Sequence, residues 1–420
     1  MSSDPADIQK DCQGKMYQKI ISAITILILV CCFASGSASG KATPSTIQSI
    51  VNAVAVPLRK KNQIPGMAIG ITLDGRDYFF NYGIASKETG KPVTRETLFE
   101  IGSLSKTFAA VLASSAQIQG TLSLHDSVSR YLPLLRGTSF DKITLLNLGT
   151  HTSGLPLFVP KGISSTSELM DYLKHWQPPF RAGTHRIYSN IGIGLLGAIA
   201  AKSRNETYEE ALQNGLFQRL GMTHSYLNVP RDEMKDYAEG YTAKNAPVRM
   251  HAGVLAAEAY GVKSCAADLI RFLEENMGLI KVDARLQRAI LQTHIGYSES
   301  EGLTQDLVWE QYAYPATREQ LLAGNALVFK ETEATRLDPA LPPQSDVLID
   351  KSGATSGFSA YVAFIPSKKI GIVMLANKAY PMDEEVTAAY RVLTAILSVT
   401  KVRHASAPAG AVPQGHNADW

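Results

Sequence analysis

The stretch LFEIGSLSKTF, Leu98 to Phe108, changes character at its centre. An apolar segment stops at Gly102, and Ser103 and Lys106 then stand three residues apart at the front of an apolar-periodic run. Ser103 to Gln119 reads as a helix with Phe108, Val111, Leu112 and Ile118 on one face, interrupted by the small polar Ser115. Residues at i and i+3 share a helix face, so the hydroxyl and the ammonium project together. The free N–H groups and dipole of a helix start favour negative charge developing there. Lys106 would lower the serine pKa, or its neutral form would take the proton. The competing reading is a serine N-cap followed by an ordinary surface lysine.

Outward from this stretch, helix and strands occur at both ends of the chain. Ile47, Ile50, Val51, Val54 and Leu58 recur at helical spacing. Two strand-like runs follow, GMAIGITL (66–73) and RDYFFNYGIA (76–85), joined by Asp74-Gly75, a strong hairpin signal. Strands return as DVLID (346–350), FSAYVAFIP (358–366) and KIGIVMLAN (369–377), and a last amphipathic helix carries Val386, Tyr390, Leu393, Ile396 and Leu397. A long helix-and-loop region lies between. The expected fold is α/β (α+β): an antiparallel sheet flanked by helices, split by an inserted, mostly helical lobe. The α/β lobe is expected at about 39–102 and 300–400 and the helical lobe at about 103–299, with a cleft between them as the site. Residues 401–420 have no period and read as a disordered tail.

The net charge of +3 over 420 residues, with Lys and Arg scattered, argues against a nucleic-acid surface. Ile20 to Phe33 is an uncharged apolar run of the length of a signal-peptide core, short for a membrane span, and small residues around Ala38 offer a cleavage site. Residues 1–38 are therefore expected to be an export signal, with Met1 or Met16 as its start and no stable membrane anchor. Cys265 is then the lone cysteine of the mature chain, which rules out a disulfide framework or a cysteine-based metal site. The histidines show no HExxH spacing.

Two further stretches carry chemistry. HRIYSNIGIG presents Tyr188 and Asn190 two apart, on the same side of an extended or turn backbone. LIDKSGATSGF presents Lys351-Ser352-Gly353 at a strand end, where the glycine lets another backbone or a substrate approach. GIGLLG (192–197) spells a dinucleotide fingerprint but follows a polar loop rather than a buried strand, so close helix packing is the better reading. No GxSxG elbow occurs.

In this order and spacing, Ser-x-x-Lys, Tyr-x-Asn and Lys-Ser-Gly resemble the serine acyl-transferases that act on β-lactams and peptidoglycan peptides. LFEIGSLSKTF, LPLFVP, YSNIGIGLLGA, DEMKDYAEGYTAK, LAAEAYGVKS and GFSAYVAFIPSKKIGIVMLANKAYP together resemble class C (AmpC-type) serine β-lactamases over nearly all of the mature chain. That resemblance implies Ser103 as nucleophile, an oxyanion hole from the Ser103 and Ala354 N–H groups, and Tyr188 or Lys106 as general base. It implies Lys351 as a second cation, with Asn190, Tyr260, Ser352 and Gly353 binding substrate. The expected substrate is a β-lactam, with cephalosporins favoured, for a periplasmic monomer without metal or organic cofactor. A DD-peptidase or carboxylesterase of the same fold, or a non-catalytic β-lactam sensor, are the alternatives. Ser352 stands where the family usually has Thr, and Phe158 where it commonly has Gln. Asp350 is expected to compete for the charge of Lys351. Ala379, Met382 and Glu385 stand where polar or basic residues often meet the substrate carboxylate, and an inward-pointing Glu385 would repel it.

Overall fold

The structure, a computed structural model, describes residues 43–404. The signal segment 1–38, its cleavage site and tail residues 405–420 lie outside the described residues. Pro44–Ile396 form one compact unit, which holds everything needed for the site.

Helix α1 (Pro44–Asn62) buries Ile47, Val51, Ala55 and Leu58, and leads into strands β1 (Gly66–Leu73) and β2 (Arg76–Gly83). Asp74 and Gly75 both take positive φ, 53° and 72°, as the favoured two-residue hairpin turn requires. Beyond an inserted region the sheet resumes with β3 (Gly296–Ser300), β4 (Leu303–Gln305), β5 (Glu310–Ala313) and β6 (Thr335–Leu341). It ends with β7 (Val347–Ala354), β8 (Ser359–Ile365) and β9 (Ile370–Ala376). All nine strands pair antiparallel in the order β6-β3-β4-β5-β7-β8-β9-β1-β2. The pairing of β1 with β9 joins the two ends of the chain, so the mostly helical segment between them is an insertion. Strands β1, β8 and β9 are buried along their whole length, and their unbroken apolar runs reflect cover on both faces.

The inserted segment is built on helix α2 (Ser105–Gln119). Every residue from Ser105 to Ala116 is buried, Lys106 and Ser114 included, which corrects the expectation of a single apolar face. Helices α3 (Asn190–Lys202) and α5 (Ala284–Gln292) and the turn of helix Ala256–Tyr260 all pack on it, so no side is left to solvent. The glycines of GIGLLG lie within α3; a Cβ on Gly194 would sit 2.6 Å from that of Leu255, so they serve close packing. Helix α4 (Ala266–Asn276) covers β1 and β9. Phe108 of α2, Phe272 of α4, Trp309 and Phe364 of β8 touch in sequence, with ring centroids 4.7, 6.1 and 5.5 Å apart, and tie helices to sheet through one core. The last helix, α6 (Met382–His404), continues past Thr400, where the sequence reading began the tail.

Candidate active site

Ser103 does not begin the α-helix. It sits in a 3-10 turn, Gly102–Leu104, and α2 starts two residues later. The three-residue spacing nevertheless brings the groups together: the Lys106 Nζ donates to Ser103 Oγ at 3.0 Å and to the Ala259 carbonyl at 2.7 Å. Lys106 is fully buried, which overturns the surface-lysine reading. Burial pushes its pKa down to about 8, against the pull of Tyr188 and with help from Lys351.

The turn abuts the end of β7 backbone to backbone. A Cβ on Gly102, whose φ is +51°, would lie 2.5 Å from both N and O of Ala354; one on Gly353 would lie 2.1 Å from the Ile101 carbonyl. Only glycine at both positions lets Ser103 and Ala354 line one cleft, of about 510 Å³, with Tyr188, Asn190, Tyr260, Ser352 and Gly353. Gly102→Ala is expected to push the Ala354 N–H away from Ser103. Loss of one such donor typically raises a barrier by roughly 3–4 kcal/mol, so acylation by a chromogenic cephalosporin should slow about a hundredfold or more. An unchanged rate would mean that the contact is incidental.

Tyr188 is buried beneath the serine and stacks on His151, with ring centroids 4.1 Å apart. The Nζ atoms of Lys106 and Lys351 each lie 5.2 Å from the Tyr188 ring centre. Burial alone would raise the phenol pKa; the two ammonium groups outweigh it, with Ser103 contributing, and the phenol lies below its ordinary value. Burial, then Arg186 and the two lysines, hold His151 well below the usual imidazole range, so its ring is neutral. Its Nδ1 accepts from the Ser189 N–H at 3.1 Å. The Ser189 hydroxyl caps α3 through the Gly192 N–H at 2.9 Å, placing Asn190 as the first helical residue at the cleft. The Tyr188 hydroxyl, the Asn190 Oδ1 and the Ser352 Oγ are all buried without a hydrogen-bond partner. Three orphaned polar atoms around one serine suit a ligand that supplies the missing partners.

Lys351 stands fully buried behind the cleft, its Nζ 3.6 Å from Glu310 Oε1. Burial would lower its pKa; Glu310 foremost, with Tyr188 and Asp350, raises it above the ordinary lysine value. Glu310 also pairs with the fully buried Arg186 at 2.9 Å, and Arg186 is held further by Gln305 Oε1 at 2.8 Å and the Leu327 carbonyl at 3.0 Å. Glu310, Arg186 and His151 were missed at the sequence level. No local motif marks them, and Arg186 and Glu310 are 124 residues apart in sequence.

The departures fall differently from expectation. Asp350 accepts from the Tyr361 hydroxyl at 2.5 Å, and burial, then Glu310, push its pKa up to about 8. The carboxyl that pairs with Lys351 is thus that of Glu310 rather than of Asp350. Glu385 is 1% exposed, with its pKa pushed well above the carboxylate range by burial, beside Tyr380. It is absent from the cleft lining and presents no charge to a substrate carboxylate. Met382 and Phe158 do line the cleft, Phe158 being 64% exposed.

A buried lysine against a serine, at the junction of an inserted helical segment and a nine-stranded antiparallel sheet, defines a serine hydrolase of the acyl-transfer kind. The chain belongs to the β-lactamase family, whose model matches residues 51–396. A β-lactamase of Lysobacter lactamgenus is 48% identical over 334 residues, covering 79% of this chain and 87% of that protein. The solved structure of a class C β-lactamase in complex with cefoxitin is 53% identical, with a TM-score of 0.83, covering 84% of this chain and 99% of the other. That of the D-alanine carboxypeptidase AmpC from Burkholderia cenocepacia is 50% identical, with a TM-score of 0.80 and the same coverage of 84% and 99%. No described helix is long and apolar enough to cross a membrane.

Proposed function

We propose that this chain hydrolyses β-lactams by a two-step mechanism on Ser103. The neutral form of Lys106 accepts the Ser103 proton as Oγ attacks the lactam carbonyl. The N–H groups of Ser103 and Ala354 stabilise the oxyanion. Tyr188 delivers a proton to the departing lactam nitrogen and then helps water to release the acyl group. Asn190 holds the substrate's acylamino carbonyl, Tyr260 forms the opposite wall, and Ser352 grips the carboxylate, with the charge of Lys351 supporting it from behind the cleft. Cephalosporins are the expected preference. The observation that carries this reading is the 3.0 Å contact of a fully buried Lys106 with Ser103.

Its test is the pH dependence of acylation. A lysine with a pKa of about 8 is only about one-tenth neutral at pH 7, and that fraction falls about tenfold for each pH unit below that. Acylation should therefore rise with pH through about 8, and Lys106→Ala should remove both the limb and most of the rate. A flat profile between about pH 6 and 8 would transfer the base role to Tyr188.

The likeness to a D-alanine carboxypeptidase supports a second reading, turnover of D-alanyl peptides. Release of the acyl group separates the two: fast release from a lactam marks a β-lactamase, persistent labelling a peptidase. The leader-like residues 1–38 support export to the periplasm, with residues 39–400 as a monomeric catalytic domain divided into the two lobes.

A further inference from the structure

Two buried carboxyls, Glu310 and Asp350, act on Lys351, and only Glu310 pairs with its ammonium. Asp350 and Glu310 face each other as cross-strand partners on β7 and β5. Glu310 Oε1 is already claimed by Arg186 at 2.9 Å and Lys351 at 3.6 Å. On Asp350, Oδ2 accepts from Tyr361 of β8, while Oδ1 is buried without a partner. The groups around Asp350 are thus Glu310 and Tyr312 from β5, Tyr361 from β8 and Lys351 on its own strand, with Arg186 reached through Glu310.

We propose that Asp350 is a positioning residue for Lys351: its carboxyl keeps a proton, leaves Glu310 as the only anion shared by Arg186 and Lys351, and on losing that proton draws Lys351 away from its role at Tyr188. With Asp350 neutral, the cluster holds two cations and one anion, and the surplus positive charge faces the Tyr188 phenol and the cleft. With Asp350 ionised the charges cancel, and both the phenolate and a bound substrate carboxylate lose support. Two like charges on directly opposed, buried residues favour the singly ionised pair. Burial and Glu310 holding Asp350 up to about 8 agrees with that geometry. Ionisation then falls close to neutral pH. The inference deepens the reading of Ser103 as the acylated residue.

Two measurements separate its failure from that of the reading beneath it. Carboxyl carbon NMR of aspartate-labelled protein, compared with Asp350→Asn, should show one resonance titrating near pH 8 that the variant lacks. A resonance titrating near pH 4 would overturn the proposal whatever Ser103 does. In the kcat/KM profile, which also carries the rising limb of Lys106, wild type should peak near pH 8 and fall above it. Asp350→Asn, an uncharged shape mimic of the protonated acid, should match wild type within about threefold near pH 6.5 and go on rising to a maximum at least about one unit higher. Tyr361→Phe removes the hydrogen bond that favours the ionised carboxylate, so its alkaline limb should also move up. An alkaline limb at the wild-type midpoint in both variants would overturn the assignment.

Discussion

Ser103→Ala should lower turnover of a cephalosporin by at least about four orders of magnitude and abolish the acyl adduct. Removing the nucleophile of a serine hydrolase costs about as much as removing its whole catalytic set, because the groups act as a unit. The fold should survive. The Ser103 hydroxyl accepts from Lys106 at 3.0 Å and lies against the Tyr188 phenol, and Lys106 keeps its 2.7 Å bond to the Ala259 carbonyl. Circular dichroism and a thermal melt close to wild type, together with lost turnover, are the expected pair of results. An adduct that still forms at the wild-type rate would place the nucleophile elsewhere.

Glu310→Gln should produce the largest loss of stability. The substitution keeps shape but leaves Arg186 and Lys351, both fully buried, without the carboxylate they share. Breaking a buried ion pair by removing one partner typically costs about 3–5 kcal/mol, since the remaining charge stays desolvated. Denaturant unfolding near neutral pH should show a loss of that order. In the variant Asp350 should ionise more readily, because Glu310 is one of the groups holding its pKa up. A raised carboxyl pKa costs the folded state stability as pH climbs toward it, so wild type loses stability up to about pH 8, the variant loses less, and the gap between them should narrow as pH rises. Stability within about 1 kcal/mol of wild type across that range would mean that solvent reaches the cluster. KM should rise as Lys351 loses its fixed position.

How far the sequence revealed this molecule depended on whether each signal was local. The Asp74-Gly75 hairpin, the three C-terminal strands and the grouping of Ser103, Tyr188, Asn190 and Lys351 were all legible, because turn chemistry, apolar runs and family blocks lie within a few residues. Strands β3 to β6 were not. β3, β4 and β5 are short and β6, as long as β8, is mostly exposed, so they lack the apolar run that marked β8 and β9. Helix α2 read as amphipathic because its serines, threonine and lysine are polar by type, yet neighbouring helices bury them. Lys106 and Glu385 show the same limit: burial fixes their charge, and burial follows from tertiary packing. The Arg186–Glu310–Lys351 cluster draws on three distant segments, and none carries a spacing that announces the others.

The most direct measurement is intact mass of wild-type protein at millisecond to minute intervals after mixing with a cephalosporin, followed by peptide mapping. One adduct should form on the peptide carrying Ser103, reach its maximum within the first turnovers and vanish as substrate is consumed, returning the protein to its original mass. An adduct on any other residue, or one on Ser103 that persists for hours while substrate remains unhydrolysed, would contradict the account.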